Sequence, residues 1–539
     1  MMNRLICQTA VIVLAGGFAP SALAQNLDQI GVTLVRAVTT NLDGSGIRVA
    51  QPEAGNESPT NWQVNPANDL VTQPVGLFTY SSSNGTADTF PNGIGGDSSH
   101  ADAVAGDFYG LPAGVATNVA HMDSYDADYF YNSIIAAVVP PNINDRVVNQ
   151  SFIFGNVSTN IPTPTNYLSV SDQQQIDSDY DDYAAQYKTL FVSAAGNSGP
   201  VCPSATCYNG IGVGAYGPGA ASSTGPTLDN GRAKPDIVAP GTPVNFTSFS
   251  TPFVAGAAAV LMQAALRGDG GNDTNSAADM RTIKALLLNG AVKPADWTNN
   301  FPSPLDNRYG AGVLNVFNAY EQLAGGKQGY VVTVSVTTNS PHLPTGDTGT
   351  ISVLNGWDFN TNASSATTDG VNHYYFNVTN ALNGAMFTAT TTLVWNRQLG
   401  ETNINDLDLF LFNAANSNLV AYSTSRVDNV EQLWLPQLPQ GRYDLQVFKN
   451  GGTNVVSDAE AYALAFEFYS QTLSVSLAGT NILLSWPVYP AGFAVETDTN
   501  LAPASWLALT NAAVIVTNQQ NWLLLNPTNP GQFFRLRLP

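Results

Sequence analysis

The sequence predicts an α/β body, built on a mostly parallel sheet with helices on both faces, followed by two all-β units. Between residues 25 and 327, short Val/Ile/Ala-rich runs alternate with stretches of helical period, the pattern of strands joined by crossover helices. From about residue 330 the helical period gives out. Strand-like segments then follow one another with Gly, Asn and Pro between them. A chain of 539 residues is also too long for one ordinary domain.

In order, residues 46–50, 147–154, 189–194 and 211–215 read as strands, and 252–266 and 277–288 as helices. Residues 331–338, 387–395, 407–412 and 443–448 read as strands of the first all-β unit. Residues 473–477, 482–486, 493–497, 522–525 and 533–536 read as strands of a second, smaller one. The cuts fall at 327–329 and near Ser470, giving units of 25–327, 328–470 and 471–539.

Residues 1–24 read as an export leader. Arg4 supplies the positive end, Leu5 to Ala19 a mostly apolar stretch, and Ala22-Leu23-Ala24 a small-x-small cleavage site, so a secreted protein is expected. Removing the leader removes Cys7 and leaves Cys202 and Cys207, an even pair for which an oxidising compartment predicts a small-loop disulfide. Their spacing would suit half a zinc site, but no Cys or His cluster completes one.

Charge narrows the partners. Only 11% of residues are charged, and 19 Lys+Arg against 40 Asp+Glu give a net charge of −21. That leaves no basic surface for phosphate backbones, so no nucleic-acid partner is expected. The longest late apolar run, 254–266, falls short of the ~20 residues that span a bilayer.

The chemistry gathers around Asn245-Phe246-Thr247-Ser248-Phe249-Ser250-Thr251-Pro252-Phe253-Val254-Ala255-Gly256. Pro252 sits where a first helical turn tolerates it. A serine just before that turn projects from a helix N-terminus, where free N–H groups favour developing negative charge. On this segment alone, Ser248 or Ser250 also reads as a plain helix cap. Upstream lie Ser99-His100-Ala101-Asp102-Ala103-Val104-Ala105-Gly106, Ser193-Ala194-Ala195-Gly196-Asn197-Ser198-Gly199 and Lys234-Pro235-Asp236-Ile237-Val238-Ala239-Pro240-Gly241. Downstream lies Tyr309-Gly310-Ala311-Gly312-Val313-Leu314-Asn315.

With these five motifs in this order, the chain resembles the subtilisin-like serine peptidases (subtilases) from about residue 44 to 315. The resemblance implies a subtilisin-like fold and peptide-bond hydrolysis through an acyl-enzyme. It makes Ser248 the nucleophile, His100 the general base and acid, and Asn197 the side-chain donor to the oxyanion. Phe246 stands where the family has glycine, and Ala101 and Ala103 replace a glycine and a second histidine. Ser151, Phe152 and Ile153 resemble the strand edge that pairs with substrate backbone. The acid departs most: the family's Asp-Thr/Ser-Gly is absent after the first strand, and the frame places Glu53 on the aspartate, with Asp43 and Asp102 as alternatives. The acidic branch of the family, with Glu in place of His and Asp in place of the oxyanion Asn, does not match. About twenty residues precede the first strand after the leader, too few for the folded pro-domain of many subtilases.

Residues 405–410, 426–431 and 441–445 resemble the jelly-roll domain behind some subtilase catalytic domains. That resemblance implies structural calcium beside Asp406 and Asp408, whose carboxylates share one sheet face and repel unless a cation or a basic group lies between them. No cofactor is expected for the chemistry itself. The last unit resembles a fibronectin type III-like tail, read as a spacer or packing module. Two functions from different classes follow: a secreted endopeptidase acting on proteins or peptides, or a catalytically silent binding protein on the same fold. An esterase on the same machinery is a third.

Overall fold

The computed structural model describes residues 26–537, apart from 161–162, 165–166, 243, 301, 380–385, 454, 471–472, 479, 489–491, 500–505, 510–512, 518–519 and 527–531. The expected leader, with Cys7, lies outside the described residues.

An eight-stranded sheet forms the centre of the first body. Its strands are β1 (Arg48–Glu53), β2 (Phe78–Ser82), β3 (Gly85–Ala87), β4 (His121–Asp126), β5 (Val147–Gln150), β6 (Leu190–Ala194), β7 (Ile211–Ala215) and β8 (Ile237–Ala239), in the order β8-β7-β6-β5-β1-β4-β2-β3. Every pairing is parallel except that of β2 with β3. β5, β6, β7 and β8 are buried along their whole length, which is why they read as unbroken apolar or small-residue runs. The helices are α1 (Val32–Val38), α2 (Ser99–Phe108), α3 (Val170–Tyr187), α4 (Thr247–Arg267), α5 (Met280–Asn289) and α6 (Val316–Ala324).

Two expected elements come out differently. The 147–154 strand stops at Gln150, because Ser151, Phe152 and Phe154 are buried by packing rather than by strand pairing. The 277–288 helix is broken, since Asp279 caps a fresh start at Met280 by accepting from the Arg281 N–H. α4 is long and apolar enough to cross a membrane, but it is the buried helix of the α/β body.

Two antiparallel sheets follow. One pairs β9 (Val332–Thr337), β11 (Thr368–Val378), β16 (Gly441–Lys449), β13 (Leu407–Asn413) and β14 (Asn418–Ser423) in that order. The other pairs β10 (Asn355–Ala363), β17 (Ala459–Ser470), β12 (Phe387–Trp395) and β15 (Val430–Leu438). Their facing side chains, among them Tyr374, Phe376, Leu409, Leu445, Leu464 and Phe466, make a core of their own. The outer face of the second sheet does not meet water: β12 and β17 lie on α5, and Trp357, Val394, Val430, Ala463 and Ala465 belong to the α/β core. The strands from Ser474 onward form a four-stranded and a three-stranded antiparallel sheet around Leu484, Trp486, Val495 and Leu523.

Candidate active site

Parallel strands present their carboxyl ends, and the loops that follow them, along one rim of a sheet, where α/β proteins place their sites. Here Glu53 ends β1, Ser151 follows β5, Asn197 follows β6, and the segment after β8 runs into Ser248 in the first turn of α4.

His100 is the second residue of α2, a helix capped by Ser98, whose hydroxyl accepts from Ala101 N at 3.2 Å. Its Nδ1 lies 2.9 Å from Glu53 Oε2, and both residues are buried. Asp43 and Asp102 are engaged elsewhere: Asp43 Oδ1 accepts from the Ser45 hydroxyl, and Asp102 accepts from Asn65 N and Asn68 Nδ2. Glu53 is therefore the carboxylate on the imidazole.

The residues that hold Glu53 were not legible beforehand. Gln51 Nε2 donates to Glu53 Oε1 at 3.0 Å and to Ala101 O at 3.0 Å, and Tyr109 Oη donates to Gln51 Oε1 at 2.7 Å. Burial pushes the Tyr109 phenol well above its ordinary range, so it stays a proton donor. Glu has one more torsion than Asp to fix. The chain Tyr109–Gln51–Glu53 fixes it by occupying one carboxylate oxygen and leaving the other for His100. The available signal was strand geometry: Gln51, two residues before Glu53 on β1, must share its face.

Ser248 is 6% exposed, at the rim of the buried helix. Phe246, where the resemblance has glycine, caps α4 at φ −106° and ψ 151°, an extended conformation open to any residue. Pro252 lies inside the helix rather than opening it. Lacking an N–H, it cannot bond the carbonyl four residues back, which is that of Ser248. The Ser151 hydroxyl takes the vacant place, donating to Ser248 O at 2.8 Å, and Asn149 Nδ2 donates to Ser151 Oγ at 3.0 Å. The side chain of Ser151, expected beside substrate, is thus turned onto the Ser248 backbone. Phe152 is buried against Phe154, and Ile153 is half-buried.

Asn197 Oδ1 accepts from Thr247 N at 3.0 Å and from Thr247 Oγ1 at 2.9 Å, which leaves the Nδ2 amide as its donating end. Gly196 before it has φ +101°, and a Cβ there would sit 2.7 Å from Ser223 Oγ. Among the described residues no hydrogen bond joins Ser248 Oγ to His100, and the Phe249 ring lies 5.6 Å from the imidazole.

The expected disulfide does not form. Cys202 and Cys207 are both buried thiols. Cys202 Sγ faces Gly196 and donates to Asn156 Oδ1 at 3.5 Å, whereas Cys207 Sγ faces Gly210 in the apolar core. The five-residue turn sends the two sulfurs into different pockets. Burial raises the Cys207 thiol far above its ordinary range, so it is inert as a nucleophile.

Asp406 and Asp408 lie just before and in β13, respectively. Each has one buried oxygen without a hydrogen-bond partner, and burial pushes both carboxyls upward, Asp408 further because of Asp406. Arg426 acts electrostatically on both, the basic group that the sequence left as the alternative to a cation. Among the described residues no three His, Cys, Asp or Glu side chains form a metal-holding group, whereas Ca²⁺ takes six to eight oxygens.

A serine at a helix start, a histidine backed by a buried carboxylate, and an asparagine amide beside the serine are the parts of a serine hydrolase. Residues 73–312 match the model of the subtilase family. The matched span begins beyond Glu53. Similar proteins include the "Serine protease/ABC transporter B family protein tagA" of Dictyostelium discoideum, 25% identical over 403 residues. That match covers 65% of this chain, which spans only 20% of the length of that relative.

Among solved structures, the prenylagaramide maturation protease is 20% identical with a TM-score of 0.38, covering 55% of this chain and 99% of the other. The epidermin leader peptide processing serine protease of Staphylococcus aureus is 18% identical with a TM-score of 0.37, covering 59% and 84%. Tripeptidyl peptidase 2 is 14% identical with a TM-score of 0.31, covering 75% and 47%.

Proposed function

We propose that this protein is a secreted serine endopeptidase working through a Ser248–His100–Glu53 triad. Ser248 Oγ attacks the scissile carbonyl while His100 Nε2 takes its proton. The oxyanion is held by Asn197 Nδ2 and the Ser248 N–H at the start of α4. His100 then gives the proton to the leaving amine, and the acyl-enzyme remains. Water repeats the sequence and releases the acid. Glu53 keeps Nδ1 protonated and stabilises the imidazolium formed in each step. The observation that carries the reading is the 2.9 Å contact between Glu53 and His100, with the second carboxylate oxygen locked by Gln51. A serine and a histidine not in hydrogen-bond contact before substrate arrives are ordinary for such sites.

The competing reading is a silent binding protein, favoured by Phe249 beside His100 and the missing Ser248–His100 bond. Fluorophosphonate labelling of the purified protein decides between them. Labelling that disappears in Ser248→Ala, and slows by about 10⁴-fold in Glu53→Gln, supports the triad. A folded wild type that never labels leaves the binding protein standing. Labelling indifferent to Glu53 would mean that another group orients His100.

A further inference from the structure

An open cleft of about 640 Å³ that the catalytic scheme does not use is lined in part by Asn245, three residues before the serine. Its place follows from strand order. Across the rim, β5, β6, β7 and β8 are neighbours, so the loops after them lie side by side: 151–153, then Asn197, then 216–224, then 240–246. If the acyl half of a peptide lies along 151–153 with its carbonyl at Asn197, the departing half crosses the ends of β7 and β8. The cleft is there. One wall is tied to the oxyanion loop, through Ser223 N to Gly196 O at 2.7 Å and Thr224 N to Gly199 O at 3.0 Å. Gly241 and Asn245, from the segment that leads into Ser248, also line it.

The chemistry of the lining is specific. Arg308 is the charged residue among those that line the cleft, in a chain whose net charge is −21. Its guanidinium stacks 4.7 Å from the centre of the Tyr309 ring, and Tyr216 meets Tyr309 edge-on at 6.2 Å. Stacking holds the planar fork in one orientation, which suits bidentate recognition of a carboxylate. Its present partner, Asp296, is 3.4 Å away, and both side chains are about two-thirds exposed. A pair so exposed contributes little, and an arriving carboxylate displaces Asp296, whose Oδ2 also accepts from the Tyr309 hydroxyl at 2.9 Å. Thr224, Ser222 and Asn245 add neutral hydrogen-bonding groups around the same space.

We infer that this cleft receives the segment C-terminal to the cut, and that Arg308 selects segments bearing a carboxylate there. The carboxylate is either an Asp or Glu side chain or the end of the substrate chain. The inference rests on the protease reading for the direction of the peptide, and its test keeps the two apart.

Four short peptides are titrated into the Ser248→Ala variant. They carry Glu or Lys at a central position, each with a free or an amidated C-terminus. Binding about threefold to fivefold tighter for the carboxylate peptides, abolished in Ser248→Ala/Arg308→Glu and reversed toward Lys, is the expected result. Tighter binding by the amidated Glu peptide assigns the site to a side chain. A gain confined to free C-termini assigns it to the chain end. Equal binding of all four, or a preference untouched by Arg308→Glu, overturns the inference. A wild type that fails to label with fluorophosphonate while the preference persists removes the protease reading alone.

Discussion

The two all-β regions meet the rest of the molecule in opposite ways. The sandwich of 332–470 is built into the α/β body through buried polar contacts as well as apolar ones. Arg397 donates to Asp181 and Asp182, Asp428 accepts from Ala233 N, Thr390 and Thr392 donate to Asn289 Oδ1, and Gln322 donates to Glu467. The final module has its own small core and keeps Leu477, Leu507 and Ile515 largely exposed. A buried polar contact is costly to break from one side only, so the first boundary joins the two parts into one folding unit. The second boundary is crossed by apolar contacts, with Val488 buried in the α/β core and Phe493 packed edge-on against Tyr469.

The largest test of this contrast is Arg397→Met. Arg397 is 3% exposed and also donates to Ser178 O, while Asn209 bonds both its N–H and its carbonyl. Removing it strands Asp181, whose carboxyl burial already raises and Arg397 holds down. Loss of about 3–5 kcal/mol in chemical denaturation is expected, with both β-sandwich and α/β signals shifting together. The carboxyl of the variant, raised further, favours the protonated form in the fold, so the deficit grows as pH rises above the ordinary carboxylate range. Separate transitions for the two parts would break the comparison.

Lys293 gives a middle-sized effect at the same interface. It is buried over the Trp297 ring, which packs edge-on against Trp434 of β15, and burial pushes its amine down to about 7. Between pH 7 and its ordinary value near 10.5 the unfolded chain holds a proton that the folded chain does not, so wild-type stability rises with pH across that window. Lys293→Met is expected to stabilise by about 1–3 kcal/mol at pH 7 and to flatten the slope. A slope unchanged in the variant would assign it to other groups.

At the site, Gln51→Leu is expected to leave the fold largely intact and to lower kcat by about 10- to 100-fold, with KM little changed. Glu53→Asp in that background separates positioning from packing: partial recovery would show that Gln51 acts by fixing the longer side chain. The smallest effect expected is from ending the chain at residue 470. Its midpoint of thermal unfolding should move by no more than about 2 °C, the loss of the apolar contacts at Val488 and Phe493. A large drop would make the tail structural after all.

How far the sequence could be read follows from how local each cause is. Ile211–Ala215 and Phe387–Trp395 came out residue for residue, because buried strands advertise themselves by composition. Ser248, His100 and Asn197 were legible from motifs, and Glu53 from the frame alone. Gln51, Tyr109 and Ser151 were not legible in their observed roles. Each acts through a partner distant in sequence, and a glutamine or a serine carries no mark of what it will bond. The cysteines misled for the same reason: spacing fixes how near two residues lie, not where their side chains turn.

One consequence of the shared boundary concerns the order in which the chain is made. Asn289, Gln322 and the carbonyl of Leu288 find their partners in Thr390, Thr392, Gln432 and Glu467. During N-to-C synthesis the α/β body is complete about 140 residues before the last of these partners exists. Through that interval Asn289 Nδ2 can still donate to Gln322 Oε1, while Asn289 Oδ1 and Gln322 Nε2 await the partners that the sandwich brings. The α/β body therefore meets the last polar partners of its own surface only once the strand ending at Ser470 has been made.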